Sequence, residues 1–276
     1  MISDVRCIVL GSGTSAGVPT IGCDCETCVS DDPRDKRLRT SGAISWIDAD
    51  RNPRTILIDA SPDLRQQVLT AGIIRCDGIF FTHNHVDHTF GLDEVRRFNM
   101  LQRSAIDIWA EPHTLEHLER VYRHIFEKQH NVNDSFIADV KPHKLTPGGV
   151  VELFGLRIEP LRFMHGNLPI LGFRFDAVDG VDLPLPLAWC TDVSHVPPGT
   201  RERLTGLDTL FLDMLREQSH STHMCTKEAV AEAHLINAKR TWFIHMAHQV
   251  KHAQVDAILP QSMALAWDGL TVDAGG

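Results

Sequence analysis

An α/β fold is predicted from three features of the sequence. Apolar stretches of strand length alternate with stretches whose apolar residues recur at helical spacing. A cluster of three histidines and one aspartate leaves the end of one apolar run, in Phe80-Phe81-Thr82-His83-Asn84-His85-Val86-Asp87-His88. Further His and Asp residues stand where later apolar stretches end. Length and composition agree with one large domain over residues 1–276: the chain is 43% apolar and 23% charged, without linker, low-complexity run or internal repeat.

Residues 5–10 are the first strand candidate, followed by Gly11-Ser12-Gly13-Thr14-Ser15-Ala16-Gly17. The spacing G-x-G-x-x-x-G is not that of a dinucleotide fingerprint, and no βαβ unit follows. A tight turn that brings backbone close to neighbouring strands is the better reading. Cys23, Cys25 and Cys28 come next, and three thiols in C-x-C-x-x-C can wrap one tetrahedral Zn²⁺ once a fourth ligand arrives. His248 is the candidate. Residues 41–47 and 55–58 read as paired strands around a turn at 50–53, and residues 62–71 as a helix stopped by Gly72.

The histidine motif follows. On a strand leading into a turn, His83 and His85 point one way, while Asp87 and His88 approach from the next helix start. Neutral imidazole and ionised carboxylate are the ligands that Zn²⁺ and its first-row neighbours prefer. Two ligand sets facing one point suit a pair of metals. Residues 92–101 and 115–126 then read as helices, with His113, His117, His124 and His130 as exposed or capping residues, and 127–150 as loop.

Strand candidates at 156–163, 171–175, 186–190, 209–214 and 241–244 complete the pattern. His165 follows the first of them. Asp192 ends the third, where its two oxygens suit it to bridging two cations. His220 and His223 lie in the loop before a helix at 227–237 that Thr226 can cap; His223 can give a proton or hydrogen bond to a substrate oxygen, whereas His220 reads as solvated. His245 and His248 leave the last of these strands. Residues three apart on a strand face opposite sides, so His245 can enter the metal pair while His248 meets the cysteines.

Taken together, these motifs resemble the metallo-β-lactamase superfamily. More narrowly, the chain is similar to the phosphodiesterases of the carbon–phosphorus lyase pathway (PhnP), which share Gly-Val-Pro-x-x-Gly-Cys-x-Cys-x-x-Cys, here residues 17–28, and a late His-x-x-His pair. The resemblance implies an αββα sandwich of two packed mixed sheets flanked by helices. It implies one metal on His83, His85 and His165, another on Asp87, His88 and His245, and Asp192 between them. Cys23, Cys25, Cys28 and His248 would hold a separate structural zinc. Asp59 matches a supporting acid and His223 the substrate-facing histidine, which makes Asp87 and His223 the catalytic candidates. The pair accepts Zn²⁺ or Mn²⁺, while thiolates favour Zn²⁺. A homodimer is a further implication.

The reaction this implies is hydrolysis of a small phosphodiester, cyclic phosphate or nucleotide by hydroxide shared between two cations ~3.5–4 Å apart. Hydrolysis of a lactone, thioester or amide on the same metals stays open, as does a non-catalytic binding role. A net charge of −9 argues against stable nucleic-acid binding and so against RNA maturation. No apolar run approaches the ~20 residues that span a bilayer. The N-terminal apolar core is too short for a signal peptide, and seven Cys, three of them within six positions, look like metal ligation rather than a disulfide framework, so a reducing, cytoplasmic location is expected.

Overall fold

Two seven-stranded sheets face each other and carry helices on their outer surfaces. This computed structural model describes residues 1–132, 135–180 and 183–275. The first sheet contains β1 (Ser3–Gly11), β2 (Ser41–Ile47), β3 (Pro53–Ile58), β4 (Gly78–Phe80), β5 (Ile106–Ala110) and β6 (Val140–Lys144). The second contains β7 (Val151–Leu153), β8 (Leu156–His165), β9 (Leu168–Ala177), β10 (Leu187–Cys190), β11 (Thr209–Asp213), β12 (Arg240–Ile244) and β13 (Met263–Leu265). The short β14 (Thr271–Val272) returns to the first sheet beside β1. Strands β3 to β6 run parallel, and so do β10 to β13.

Parallel strands with both faces covered should read as unbroken apolar runs, and they do. Ile56, Ile58 and Phe80 of one sheet meet Phe173, Trp189 and Phe211 of the other in the shared interior. The alternate residues Leu57, Ile79 and Phe81 turn outward onto Leu64, Val95, Leu115 and Leu118. On the far side Leu212 and Phe243 pack on Ala229, Ala233 and Ile236 of the helix Thr226–Ile236. The layers are those of the αββα sandwich. Gly42 shows how tightly the sheets meet: a Cβ there would lie 2.8 Å from the Trp189 indole.

Several expectations change in detail. The helix read at 115–126 breaks at Tyr122 into Pro112–Val121 and Arg123–Phe126, and the Tyr122 hydroxyl donates to the Thr89 carbonyl at 3.1 Å. The helix read at 92–101 opens as a 3-10 turn, Leu92–Val95, before Arg96–Gln102. Within the stretch read as loop, β6 pairs on the sheet edge; its Lys-Pro-His-Lys residues are exposed and carry no apolar alternation to announce a strand. Positions 133 and 134 of that stretch lie outside the described residues. Cys225, not Thr226, caps the helix Thr226–Ile236, with its N–H donating to the Glu228 carboxylate at 2.9 Å. No helix among the described residues is long and apolar enough to cross a membrane.

Candidate metal centre

The parallel strands deliver the site at their C-terminal ends, where α/β sheets place ligands. Asp59 follows β3, the histidine motif follows β4, Asp192 follows β10, Asp213 ends β11 and His245 follows β12. Asp59, Asp192 and His245 all take left-handed backbone, with φ of 62°, 60° and 65°. Such conformations cost non-glycine residues of order 1 kcal/mol or more each and collect at functional sites. His245 therefore does not diverge from His248 by strand alternation, as the sequence reading assumed. The strand has ended at Ile244, and the turn is set instead by Met246 N–H on the Ser12 carbonyl and Ala247 N–H on the Leu215 carbonyl.

Two donor groups converge there. His83, His85 and His165 form one, and Asp87, His88, Asp192 and His245 the other; within each group the ligating atoms lie within 4.8 Å of one another. All but His85 are buried. The His165 Nδ1–H donates to the Thr222 carbonyl at 2.7 Å, which leaves its Nε2 a bare lone pair. His88 Nδ1 donates to Asp59 Oδ2 at 2.7 Å, so its Nε2 faces Asp87 at 3.3 Å and Asp192 at 3.2 Å. His245 Nε2 lies 3.3 Å from the other Asp192 oxygen. Asp192 thus presents one oxygen to each histidine.

Buried imidazole nitrogens and carboxylates at these distances need positive charge between them. Among the described residues, Nε2 of His83, His88 and His245 has no hydrogen-bond partner. Burial pushes the His88 imidazolium down, but Asp192, Asp87 and Asp59 outweigh it and hold its pKa well above the usual histidine range. Burial alone would raise Asp192; His245 and His88 reverse this and keep it well below the carboxylate range. Divalent cations supply the same compensation without protonating the rings. The donor set fits them.

The cysteines form a second assembly. The ligating atoms of Cys23, Cys25, Cys28 and His248 also lie within 4.8 Å of one another, with His248 Nδ1 3.3 Å from both Cys23 and Cys25 sulfurs. The Cys28 backbone N–H, and then His248, lower the Cys25 thiol to about 6, toward the thiolate that binds metal. Buried Arg37 ties this corner to the first site. It donates to the carbonyls of Ala247 at 3.1 Å and Val250 at 2.7 Å and pairs with Asp35, so it grips the segment joining His245 to His248 and beyond. The glycine-rich turn serves this approach: a Cβ on Gly11 would sit 2.0 Å from the Arg39 carbonyl, and one on Gly13 2.8 Å from Arg37 Cβ.

His252 lies beside this clamp with both ring nitrogens buried and unpartnered among the described residues. Burial, and then Arg34, lower its pKa to about 4. The unfolded chain takes up this proton near pH 6.5 and the folded chain only near 4, so stability present at neutral pH is lost as pH falls through that window. Urea unfolding should show the wild type losing about 2 kcal/mol more than His252→Phe between pH 7 and pH 4. Parallel losses in the two proteins would contradict this.

A family model described as a beta-lactamase superfamily domain matches residues 54–246. The chain belongs to the beta-lactamase superfamily. Within that superfamily it is similar to the crystal structure of a new diphosphatase from the PhnP family, at 37% identity and TM-score 0.86, covering 99% of this chain and 98% of that one. The PhnP resemblance read from residues 17–28 and the late histidine pair therefore holds. Zn²⁺-bound PqqB from Methylobacterium extorquens shares the fold at 21% identity and TM-score 0.76, over 97% of this chain and 99% of that one. An octanoyltransferase of Porphyromonas gingivalis is 35% identical over 268 residues, 96% of this chain. The chain spans about half of that protein, 51% of its length.

In this superfamily member, His223 stands over both donor groups, its ring 4.6 Å from His165 and 4.7 Å from His245. Its Nδ1 donates to Asp213 at 3.1 Å. Burial lowers the His223 imidazolium, but Asp213 outweighs it and the pKa rises above the usual value. Asp213 is the residue that sequence reasoning missed. Fully buried, it also accepts the Asp192 N–H at 3.0 Å and the Met224 N–H at 3.1 Å and lies 3.4 Å from His245 Nδ1. Its signal was there: it closes a strand just as Asp192 follows one.

Asp213→Asn turns an amide N–H₂ toward donors that require an acceptor. It should lower hydrolytic kcat about 10- to 100-fold, as loss of an orienting carboxylate beside a metal centre does. An unchanged kcat would remove Asp213 from the site. His220, expected in solvent, is half-buried; its ring lies 5.3 Å from that of His223, and its Nδ1 accepts the Thr222 N–H at 3.3 Å. His124 and His130 are exposed as expected, but His113 and His117 are half-buried and bury an unpartnered Nε2 each.

Proposed function

We propose that this chain is a metal-dependent phosphodiester hydrolase acting on small substrates. His83, His85 and His165 would hold one divalent cation, Asp87, His88 and His245 a second, with Asp192 between them. Cys23, Cys25, Cys28 and His248 would hold a structural zinc. The observation that carries this reading is the convergence of buried, unpartnered imidazole nitrogens on Asp87 and Asp192 at the strand ends. The 37% identity to a PhnP-family diphosphatase across nearly the whole chain favours phosphoryl chemistry on that centre. The octanoyltransferase name bears less weight, because it belongs to a protein of which this chain spans only half.

Cations bound there supply Lewis acidity toward a phosphoryl group and acidify water near neutral pH. The chain's own residues do the rest. Asp59 fixes the His88 ring and the Thr222 carbonyl fixes that of His165, so their Nε2 atoms stay aimed without reorganisation. Asp213 holds the His223 Nδ1 proton, which leaves Nε2 to carry the proton that the departing oxygen needs. Asp87 completes the carboxylate side of the centre. The substrate is a small phosphodiester, cyclic phosphate or nucleotide, and the acidic chain disfavours long nucleic acids.

One preparation loaded with Zn²⁺ or Mn²⁺ should be assayed on bis(p-nitrophenyl) phosphate and 2′,3′-cyclic nucleotides, alongside a lactone, an amide and an octanoyl thioester. Turnover of the phosphodiesters is expected. Turnover confined to the acyl substrates would replace this reading with the acyl one.

A further inference from the structure

A cleft of about 340 Å³ opens beside Asp87, and Ala16, Ile21, Pro62 and Val86 give it an apolar lining. A turn holds Ile21 there: the Cys23 N–H donates to the Thr20 carbonyl at 3.0 Å, and Gly22 takes a φ of 74°. The Thr20 N–H donates to the Cys28 sulfur at 3.4 Å, so the turn is anchored on the cysteine cluster. Ile21 is fully exposed and Val86 is 51% exposed, although both side chains are large and apolar. One exposed isoleucine is ordinary on a protein surface. Apolar side chains gathered along one cleft beside the candidate metal centre mark a binding surface.

The charges of the cleft are already matched. Arg39 is the one basic residue among the described residues lining it; its Nε pairs with Asp63 at 3.0 Å, and its backbone N–H donates to the same carboxylate at 2.9 Å. Asp87 belongs to the donor group of the centre, 3.3 Å from His88 Nε2. What the lining leaves unmatched is apolar surface. His223, assigned above to the departing oxygen, is not among the residues lining the cleft. The substituent that reaches it is therefore the one kept on the phosphoryl group. We infer that the cleft seats the uncleaved ester substituent, and that Ile21 makes the site prefer an alkyl or aryl group there over a charged one. This rests on the phosphodiesterase reading above.

Metal-loaded wild type, Ile21→Ser and Ile21→Leu should be compared on methyl, butyl and hexyl p-nitrophenyl phosphate, which share one leaving group. In the wild type kcat/KM should rise about 10-fold from methyl to hexyl, mainly through KM, because each methylene seated in the cleft leaves water. In Ile21→Ser the rise should shrink to about 3-fold or less, and Ile21→Leu, which restores the apolar surface, should keep it. The 3-carboxypropyl ester, close in size to the butyl one, should turn over more slowly than butyl in the wild type. A wild-type rate independent of chain length, a rise equal in wild type and Ile21→Ser, or faster turnover of the carboxypropyl ester would overturn the inference.

Binding separates this inference from the reading beneath it. Titration of the metal-loaded protein with methyl-, butyl- and hexylphosphonate needs no turnover. A preference for the longer chain that shrinks about 3-fold or more in Ile21→Ser supports the cleft assignment even if every phosphodiester assay is negative, in which case only the hydrolase reading falls. An affinity independent of chain length, or a preference equal in wild type and variant, contradicts the cleft assignment whatever the turnover.

Discussion

His83→Ala is expected to lower kcat/KM on bis(p-nitrophenyl) phosphate by at least about 10³-fold while leaving zinc on the cysteine cluster. His83 is fully buried, Thr82 Oγ1 lies 3.0 Å from its Nδ1, and its Nε2 faces the donor group with no hydrogen-bond partner among the described residues. Burial and the neighbouring His88 hold its pKa well below the usual value, so the ring is neutral and able to ligate. On the proposed assignment, removing it would take away one cation's ligand and, with it, several kcal/mol of transition-state charge stabilisation. The cysteine cluster draws its ligands from residues 23–28 and His248, none shared with His83. Activity assay with elemental analysis of the purified variant reads both halves. Retained activity would place His83 outside the centre, and loss of all zinc would show that the two sites are not independent.

Cys28→Ala acts on the other assembly and is expected to lower the melting temperature by about 10 °C and to release one zinc per chain. A structural zinc site contributes its binding energy to folding, and a loss of about 3–5 kcal/mol shifts a domain of this size by that amount. The effect should spread. The turn that carries His248 begins at His245 and is gripped by Arg37 at Ala247 and Val250, so a loosened corner would free His245, a ligand proposed for the second cation. Phosphodiesterase activity should fall about 10-fold and recover in part with excess metal. Differential scanning calorimetry and metal analysis check this; an unchanged melting temperature and zinc content would make the cysteines ordinary core residues.

The parts of the site that were legible in the sequence are those where chemistry and spacing coincide. His83 to His88 follow an apolar run, Cys23 to Cys28 stand in thiolate spacing, and Asp192 and His245 stand at strand ends; the structure brings each group together. Asp213 was legible only as an acid closing an apolar run, as Asp192 does; its role could be read only once its three hydrogen-bond partners surrounded it. Tyr122 hid the helix break, since its apolar ring keeps the 3.6-residue repeat intact while its hydroxyl bonds elsewhere. The edge strand β6 lacked alternation because neither face of it is buried. The reason for the divergence of His245 and His248 was also hidden, because left-handed backbone at a histidine leaves no mark in sequence.

Anomalous diffraction from crystals of the metal-loaded protein tests the central assignment most directly. Three metal peaks per chain are expected: two about 3.5–4 Å apart between His83 and His245 with Asp192 touching both, and one at Cys23, Cys25, Cys28 and His248. A peak at the cysteines alone, with none between His83 and His245, would contradict it.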